Sequence, residues 1–207
     1  MLGKGMVGGT LGRRWAAGGH QITFGVRDPS APAAKALGNE TGASVARIGD
    51  AVVGADVVTL AVPWTAVPQV LDQAGDLDGV VLIDATNTVA TGYRPDLATE
   101  RSGAETIASL VPGARVIKAF NGLSYRTMQD PTAFPLPPAV LLAGDDRDAK
   151  DTVAELVLEI GLEPVDAGPL AASVLLEYAA LLWIRLAFDQ QLGRDAAFAI
   201  VRKDPAG

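Results

Sequence analysis

Short apolar, β-branched runs alternate along this chain with alanine-rich stretches of helical period. The runs Gln21–Val26, Asp56–Val62, Val80–Asp84, Arg115–Ala119, Ala139–Ala143 and Glu163–Asp166 predict strands. Several of them lack polar alternation, as strands covered on both faces do. The stretches Met6–Ala17, Pro29–Leu37, Thr65–Ala74, Thr99–Leu110, Asp146–Ile160 and Leu170–Leu192 predict helices. Repeated strand–helix–strand units predict an α/β fold, a doubly wound parallel sheet with a small C-terminal helical extension. Pro131, Pro135, Pro137 and Pro138 crowd one short stretch, which reads as a surface connection. We therefore expect residues 1–143 to form the sheet-bearing domain. Residues 144–207 would complete the sheet and one side of a pocket, as a separate unit or as part of one continuous domain.

The last predicted helix is apolar on more than one side: Leu175, Leu176, Leu181, Leu182, Trp183, Ile184, Leu186 and Phe188 spread around it. Such a helix needs cover from several directions. The cover is its own subunit or a second copy, and a homodimer is the preferred expectation. Glu177 and Arg185 interrupt the run, so it is read as a buried helix and no membrane is expected. These two lie on one helical face, as a solvated stripe or as polar contacts within an interface.

Gly3-Lys4-Gly5-Met6-Val7-Gly8 fits the spacing G-x-G-x-x-G. The first glycine permits a tight turn, the second lets a pyrophosphate approach the backbone, and the third lets the helix pack close to the sheet. The helix start then offers free N–H groups and a positive dipole end to phosphate, with Met6 and Val7 in its first turn. A predicted helix and then a strand follow the loop, the order a Rossmann dinucleotide fold requires. At the end of that strand an NAD enzyme would show an acid. Here the chain offers Arg27, whose forked guanidinium suits a 2′-phosphate and favours NADP(H). The alternative leaves Arg27 as a solvated turn residue and gives the ribose hydroxyls to Asp28. Lys35 could add charge nearby or simply be solvated. Only Met1 and Leu2 precede Gly3, so the central strand is expected to be truncated or to begin upstream.

Composition narrows the chemistry. In 207 residues, 49 % are apolar and 20 % charged, which suits a packed core. The net charge of −7, without a Lys/Arg cluster, argues against nucleic acid as a partner. There is no Cys and one His, which removes disulfides, thiolate chemistry and His-rich zinc sites, and no metal is expected. His20 is read as structural. The first 20 residues carry Lys4, Arg13 and Arg14 without an apolar run, so no secretory signal is read and a cytoplasmic location is expected.

Several rim segments follow in order: Gly25-Val26-Arg27-Asp28-Pro29, Leu60-Ala61-Val62-Pro63-Trp64, Ile83-Asp84-Ala85-Thr86-Asn87, Val116-Ile117-Lys118-Ala119-Phe120-Asn121, Ala143-Gly144-Asp145-Asp146 and Asp166-Ala167-Gly168-Pro169-Leu170. With the glycine loop, they make the chain resemble the NADP oxidoreductases dependent on coenzyme F420. The same domain forms the cytoplasmic part of the transmembrane ferric reductases called STEAP. The resemblance implies hydride transfer between NADP(H) and a deazaflavin, coenzyme F420, or a flavin as the second redox partner. It implies that Ala61, Val62 and Pro63 lie along the nicotinamide ribose. It also implies that the Ala119 backbone meets the carboxamide, and that the region from Asp166 to Leu170 helps build the acceptor pocket.

From the residues alone, Pro63 stiffens its loop and small Ala61 leaves room. Trp64 packs or touches ligand. Asn87 and Asn121 either hydrogen-bond the cofactor or form turns. Asp84 could cap a turn. Leu170, Leu175 and Trp183 line a ring pocket or belong to the core. Tyr93, Tyr125 and Tyr178 are the proton-donor candidates, and Tyr125 is nearest in sequence to the Ala119–Asn121 rim. Rival readings are an NADPH-dependent flavin or ferric reductase, a carbonyl or imine reductase, and a non-catalytic NADP-binding sensor.

Overall fold

The computed structural model describes residues 1–90, 94–95 and 101–203. The elements in order are α1 (Met6–Ala17), β1 (Thr23–Val26), α2 (Pro32–Thr41), β2 (Ser44–Arg47), α3 (Ile48–Val52), β3 (Val57–Leu60), α4 (Val67–Ala74) and β4 (Val81–Asp84). A short antiparallel pair, β5 (Val89–Ala90) and β6 (Arg94–Pro95), comes next. Then follow α5 (Gly103–Leu110), β7 (Arg115–Lys118), α6 (Tyr125–Gln129), β8 (Ala139–Leu142), α7 (Arg147–Glu159), β9 (Glu163–Asp166) and α8 (Ser173–Phe188).

The pairs β2–β1 and β3–β4–β7 are parallel blocks. Leu2 joins them, with parallel bridges to Gly25 on one side and Leu60 on the other. Its N–H donates to Thr59 O at 2.7 Å, and its carbonyl accepts from Ala61 N at 2.8 Å. The central position of the sheet is thus held by a single bridged residue. The order β2-β1-Leu2-β3-β4-β7 changes direction at Leu2, the place where an open α/β sheet forms its ligand crevice. Lys118 and Ala143 then make an antiparallel bridge, which attaches the parallel pair β8–β9 to the edge of β7.

Both faces are covered. Leu11, Trp15, Ile83, Ile117, Met128 and Val153 form one core under α1, α6 and α7. Leu60, Val70, Leu82, Ile107 and Val116 form the other under α3, α4 and α5. Ile83 and Leu82 are neighbours on β4 yet fall in opposite cores, as the two-residue strand period requires. Trp15 ties α1 to α7: its Nε1 donates to Leu156 O at 2.9 Å, and the ring is 3 % exposed.

The expected elements and the observed ones differ in instructive places. The helix expected from Pro29 starts at Pro32, because Asp28 Oδ1 accepts from Ser30 N at 2.8 Å and closes a turn first. The next two elements, β2 and α3, were absent from the sequence reading. The first is a four-residue edge strand, half or fully exposed throughout, with no apolar run to mark it. The helix expected from Thr99 begins at Gly103 among the described residues, where Ser102 and Glu105 form a reciprocal capping box. The last helix ends at Phe188, so Leu192 lies beyond it.

The stretch Leu170–Phe188 is long and apolar enough to cross a membrane by length and hydropathy. One side of it packs on the fold through Leu176, Ala180, Trp183 and Ala187, while Leu175 is 65 % exposed and Tyr178 and Leu182 are exposed with it. Trp183 therefore belongs to the core and Leu175 does not.

Candidate functional site

The site is built at the C-terminal ends of the parallel strands, starting at the glycine loop. Gly3 has φ +108°, a backbone conformation that a side chain at this position would strain. A Cβ there would also lie 2.3 Å from Ala61 O. A Cβ on Gly8 would lie 2.3 Å from Gly3 O and 3.2 Å from the Ala61 methyl group. The start of α1 thus sits against the end of β3, and any side chain at Gly8 would push them apart. A Cβ on Gly5 would meet nothing within 4 Å. Gly5 is the N-cap of α1, without a side-chain cap and without an acid in the first turn. An open space, an uncapped helix start and a first turn without a carboxylate together fit a pyrophosphate group. Met6, 61 % exposed, flanks that space, and Val7 turns inward against the α1-side core.

Arg27 is exposed just past β1. Its neighbour Asp28 is held by Ser30: Asp28 Oδ1 accepts from Ser30 N at 2.8 Å and from Ser30 Oγ at 2.6 Å. These bonds, helped by the Arg47 charge, hold its carboxyl below the usual range. Ser30 thus engages one of the two Asp28 carboxylate oxygens. Arg47, last residue of β2, is in register with Val26 beside Arg27. The sequence reading missed this second guanidinium because β2 itself was not read.

Further along the rim, Ala61, Val62 and Pro63 follow β3, and Pro63 precedes a short 3-10 turn at Trp64–Ala66. Trp64 packs with the α4 and α5 core and lies near Gly103, where a Cβ would come 3.2 Å from its ring. Asn87 and Asn121 meet each other. The Asn87 Nδ2 donates to Asn121 O at 2.8 Å, and Asn121 Nδ2 donates to Asn87 Oδ1 and to Leu176 O, both at 3.1 Å. The two amides clasp the ends of β4 and β7 and hold α8 to them. Asn121 Oδ1 and the second Asn87 amide hydrogen are not used in that clasp. Ala119 is fully buried, and its N–H donates to Asp84 O at 3.0 Å.

Between these residues Phe120 has φ +62°, a left-handed conformation that costs a non-glycine residue energy. Burial to 2 % and an edge contact with Trp15, ring centres 5.8 Å apart, hold it there.

A buried charged cluster lies directly below. Lys118, 0 % exposed, donates to Asp84 Oδ2 at 2.9 Å and to Thr86 O at 2.7 Å, and its Nζ is 3.1 Å from Glu177 Oε1. Asp84 Oδ1 accepts from Thr86 N and Oγ1, so it does close a turn, and its other oxygen is an ion-pair partner. Glu177 is neither a solvated stripe nor a free interface residue. It is 6 % exposed and accepts from Gly103 N and Thr88 Oγ1, both at 2.9 Å. Arg185, by contrast, is exposed and 3.9 Å from Asp189. A lysine inside the apolar run of β7, beside a strand ending in Asp84, was the signal available for this cluster. A fully buried charge requires a partner.

Tyr125 shares a groove of about 630 Å³ with Lys4, Gly5 and Met6, at the glycine loop itself. The other described candidates lie apart from the loop. His20 Nε2 lies 2.6 Å from Glu159 Oε2, just ahead of the N-terminal end of β1. There a cavity of about 450 Å³ opens between Ile22, Thr23, Val57 and Thr59. Tyr178 is exposed, and Tyr93 lies outside the described residues. Among the described residues no group of three or more His, Cys, Asp or Glu is placed to hold a metal ion.

The chain is similar to known proteins over most of its length. Residues 1–88 match the family described as NADP oxidoreductase, coenzyme F420-dependent. A solved structure described as a candidate F420-dependent NADP reductase, from Arthrobacter sp. FB24, is 28 % identical. It superimposes with a TM-score of 0.88, and the match covers 97 % of each chain. A hypothetical protein of Sinorhizobium meliloti, SMa0349, is 34 % identical with a TM-score of 0.74, over 83 % of this chain and 85 % of that one. The metalloreductase STEAP3 of Rattus norvegicus is 31 % identical over 175 residues, which is 84 % of this chain. The chain spans about a third or less of the length of the curated relatives it matches.

Proposed function

Because the chain belongs to the family of coenzyme F420-dependent NADP oxidoreductases, we propose that it transfers a hydride between NADP(H) and a deazaflavin or similar ring acceptor. The observation that carries this reading is the glycine loop. Gly5 faces open space at an uncapped helix start, while Gly3 and Gly8 seal that start onto β3. In this reading the N–H groups of the first α1 turn hold the pyrophosphate. Arg27 and Arg47 hold the 2′-phosphate. The loop Ala61–Pro63 lies along the nicotinamide ribose. The backbone at Ala119 and the Asn121 Oδ1, which lies outside the asparagine clasp, orient the carboxamide.

The nicotinamide supplies the hydride chemistry when bound, and the protein's task is to position two rings and exclude water. Residues 144–207 form the acceptor side, with Leu170 and Gly168 at its edge. No general acid is required of the chain if the acceptor exchanges its ring proton with solvent.

Calorimetric titration with NADPH and NADH tests the reading. NADPH should bind and be preferred, and oxidation with a deazaflavin but not with free flavins or ferric chelates should follow. Turnover with ferric chelates instead would move the chain toward the metalloreductase activity named for its STEAP relatives, and turnover with free flavins toward flavin reduction. Binding without turnover by any acceptor would make it a sensor, and binding of neither nucleotide would remove the proposal.

Arg27→Ala is expected to weaken NADPH by roughly 1.5–3 kcal/mol, the scale of a charged hydrogen bond, and to leave NADH nearly unchanged. Equal losses for both nucleotides would remove Arg27 from the 2′-phosphate. The exposed stripe Leu175, Tyr178 and Leu182 on α8 supports the homodimer expected from the helix composition. Light scattering should return twice the chain mass of 21.3 kDa, and a monomer mass would rule the dimer out.

A further inference from the structure

The cluster below the rim holds one cation and two anions. Lys118 Nζ donates to Asp84 Oδ2 and Thr86 O, and lies 3.1 Å from Glu177 Oε1 as an ion pair. Each oxygen of the two carboxyl groups has a hydrogen-bond partner: Asp84 Oδ1 in Thr86 N and Oγ1, Asp84 Oδ2 in Lys118, Glu177 Oε1 in Gly103 N, and Glu177 Oε2 in Thr88 Oγ1. Counted with the ordinary charges of Asp, Glu and Lys at neutral pH, the three side chains carry a net charge of −1. The side chains of Lys118, Asp84 and Glu177 are 0 %, 0 % and 7 % exposed, so solvent screens little of it. Gly103 N belongs to the first residue of α5, whose positive dipole end offsets part of one charge and not all of it.

The cluster stands at the C-terminal ends of β4 and β7. Asp84 and Lys118 are their last residues, and Asn87, Ala119 and Asn121 follow within three positions. Glu177 is next to Leu176, whose carbonyl Asn121 holds. A Cβ on Gly103 would lie 3.0 Å from Glu177 Oε1 and 3.2 Å from the Trp64 ring, so the loop after β3 reaches the same spot.

We propose that this buried negative charge tunes the redox balance of the nicotinamide held at that rim, stabilising its oxidised form and making NADPH the stronger hydride donor. The inference rests on the nicotinamide placement proposed above. In the transfer the nicotinamide C4–H bond breaks, and the hydrogen leaves with both electrons and forms a C–H bond on the acceptor ring. The acceptor then takes one proton from solvent. The nicotinamide ring goes from neutral to +1. A fixed −1 nearby therefore favours the product side of that half-reaction and holds NADP⁺ more tightly relative to NADPH.

The test compares dissociation constants for NADP⁺ and NADPH in the wild-type chain, Glu177→Gln, Asp84→Asn and Thr88→Val. Removing either carboxylate charge should weaken NADP⁺ relative to NADPH by about tenfold, the size of one unit charge acting at about 10 Å through an effective dielectric near 20. For a two-electron couple, that ratio raises the potential of the bound nucleotide by about 30 mV. Thr88→Val removes a hydrogen bond to Glu177 without changing charge, so the ratio should hold. Thermal melts identify any variant that has not folded, and either charge variant alone suffices for the comparison. If both nucleotides bind and the ratio does not move in a folded charge variant, the tuning role is overturned and the cofactor reading stands. If the wild-type chain binds neither nucleotide, the cofactor reading fails and takes this proposal with it.

Discussion

Lys118→Met should be among the most destabilising single substitutions in this chain. The change keeps an unbranched side chain of similar length but removes the only cation between Asp84 and Glu177 in the cluster described. Two carboxylates with side-chain exposures of 0 % and 7 % would then face each other without a counter-charge. Breaking a buried pair from one side costs about 3–5 kcal/mol, because the abandoned charge stays buried. Here one lysine serves two carboxylates, so the upper part of that range is expected. Since a domain of this kind holds roughly 5–15 kcal/mol in total, the variant should unfold at much lower urea or express poorly. A triple variant that also carries Asp84→Asn and Glu177→Gln removes the stranded charges and should recover a substantial part of the loss. Urea midpoints for the single and triple variants decide the matter. A single variant within 1 kcal/mol of wild type would mean that water reaches the cluster.

How legible this molecule was depends on what each part had to bury. The strands Val57–Leu60, Val81–Asp84 and Arg115–Lys118 were readable because both of their faces are covered, which demands uninterrupted apolar residues. The sheet edge was not. Ser44–Arg47 pairs on one side only and is partly solvated, so its sequence carries no period to find. The helix α6 has five residues, too short to show a repeat. At the glycine loop the spacing encodes backbone requirements that a sequence can display. Gly3 shows the positive φ and Gly8 the close approach that the spacing implied.

The charged cluster was the opposite case. Its members are far apart in sequence, since Asp84 and Lys118 are separated by 34 positions and Lys118 and Glu177 belong to different layers. Each looks ordinary alone. Glu177, on a helix apolar all round, suggested solvent or an interface, and only the packing of α8 onto α5 turns it inward. The two asparagines were expected to face ligand or to form turns independently. They instead hydrogen-bond each other, just past Phe120, whose left-handed conformation is a distortion no local pattern announces.

Gly8→Ala tests whether that glycine loop is built for a phosphate ligand, and it is best read beside Gly5→Ala. The Gly8 methyl would meet Gly3 O at 2.3 Å, backbone against methyl, with the Ala61 methyl group 3.2 Å away. Neither neighbour is a flexible side-chain end, so α1 must move away from β3. Forcing an extra carbon into such a contact costs about 1–3 kcal/mol of stability. The same movement withdraws the first-turn N–H groups from the pyrophosphate. Two charge-assisted hydrogen bonds lost at about 1.5 kcal/mol each weaken NADPH by roughly 3 kcal/mol, on the order of 100-fold. Gly5→Ala separates the two effects. Its methyl meets no protein atom within 4 Å, and the residue's φ of −70° suits alanine, so the melting temperature should stay near wild type. The methyl would nevertheless occupy the open space assigned to the pyrophosphate, and NADPH affinity should fall. Calorimetry and thermal melts on the two variants therefore give distinct signatures: both quantities fall for Gly8→Ala, and affinity alone falls for Gly5→Ala. Unchanged NADPH binding in Gly5→Ala would mean that the nucleotide does not lie across this loop.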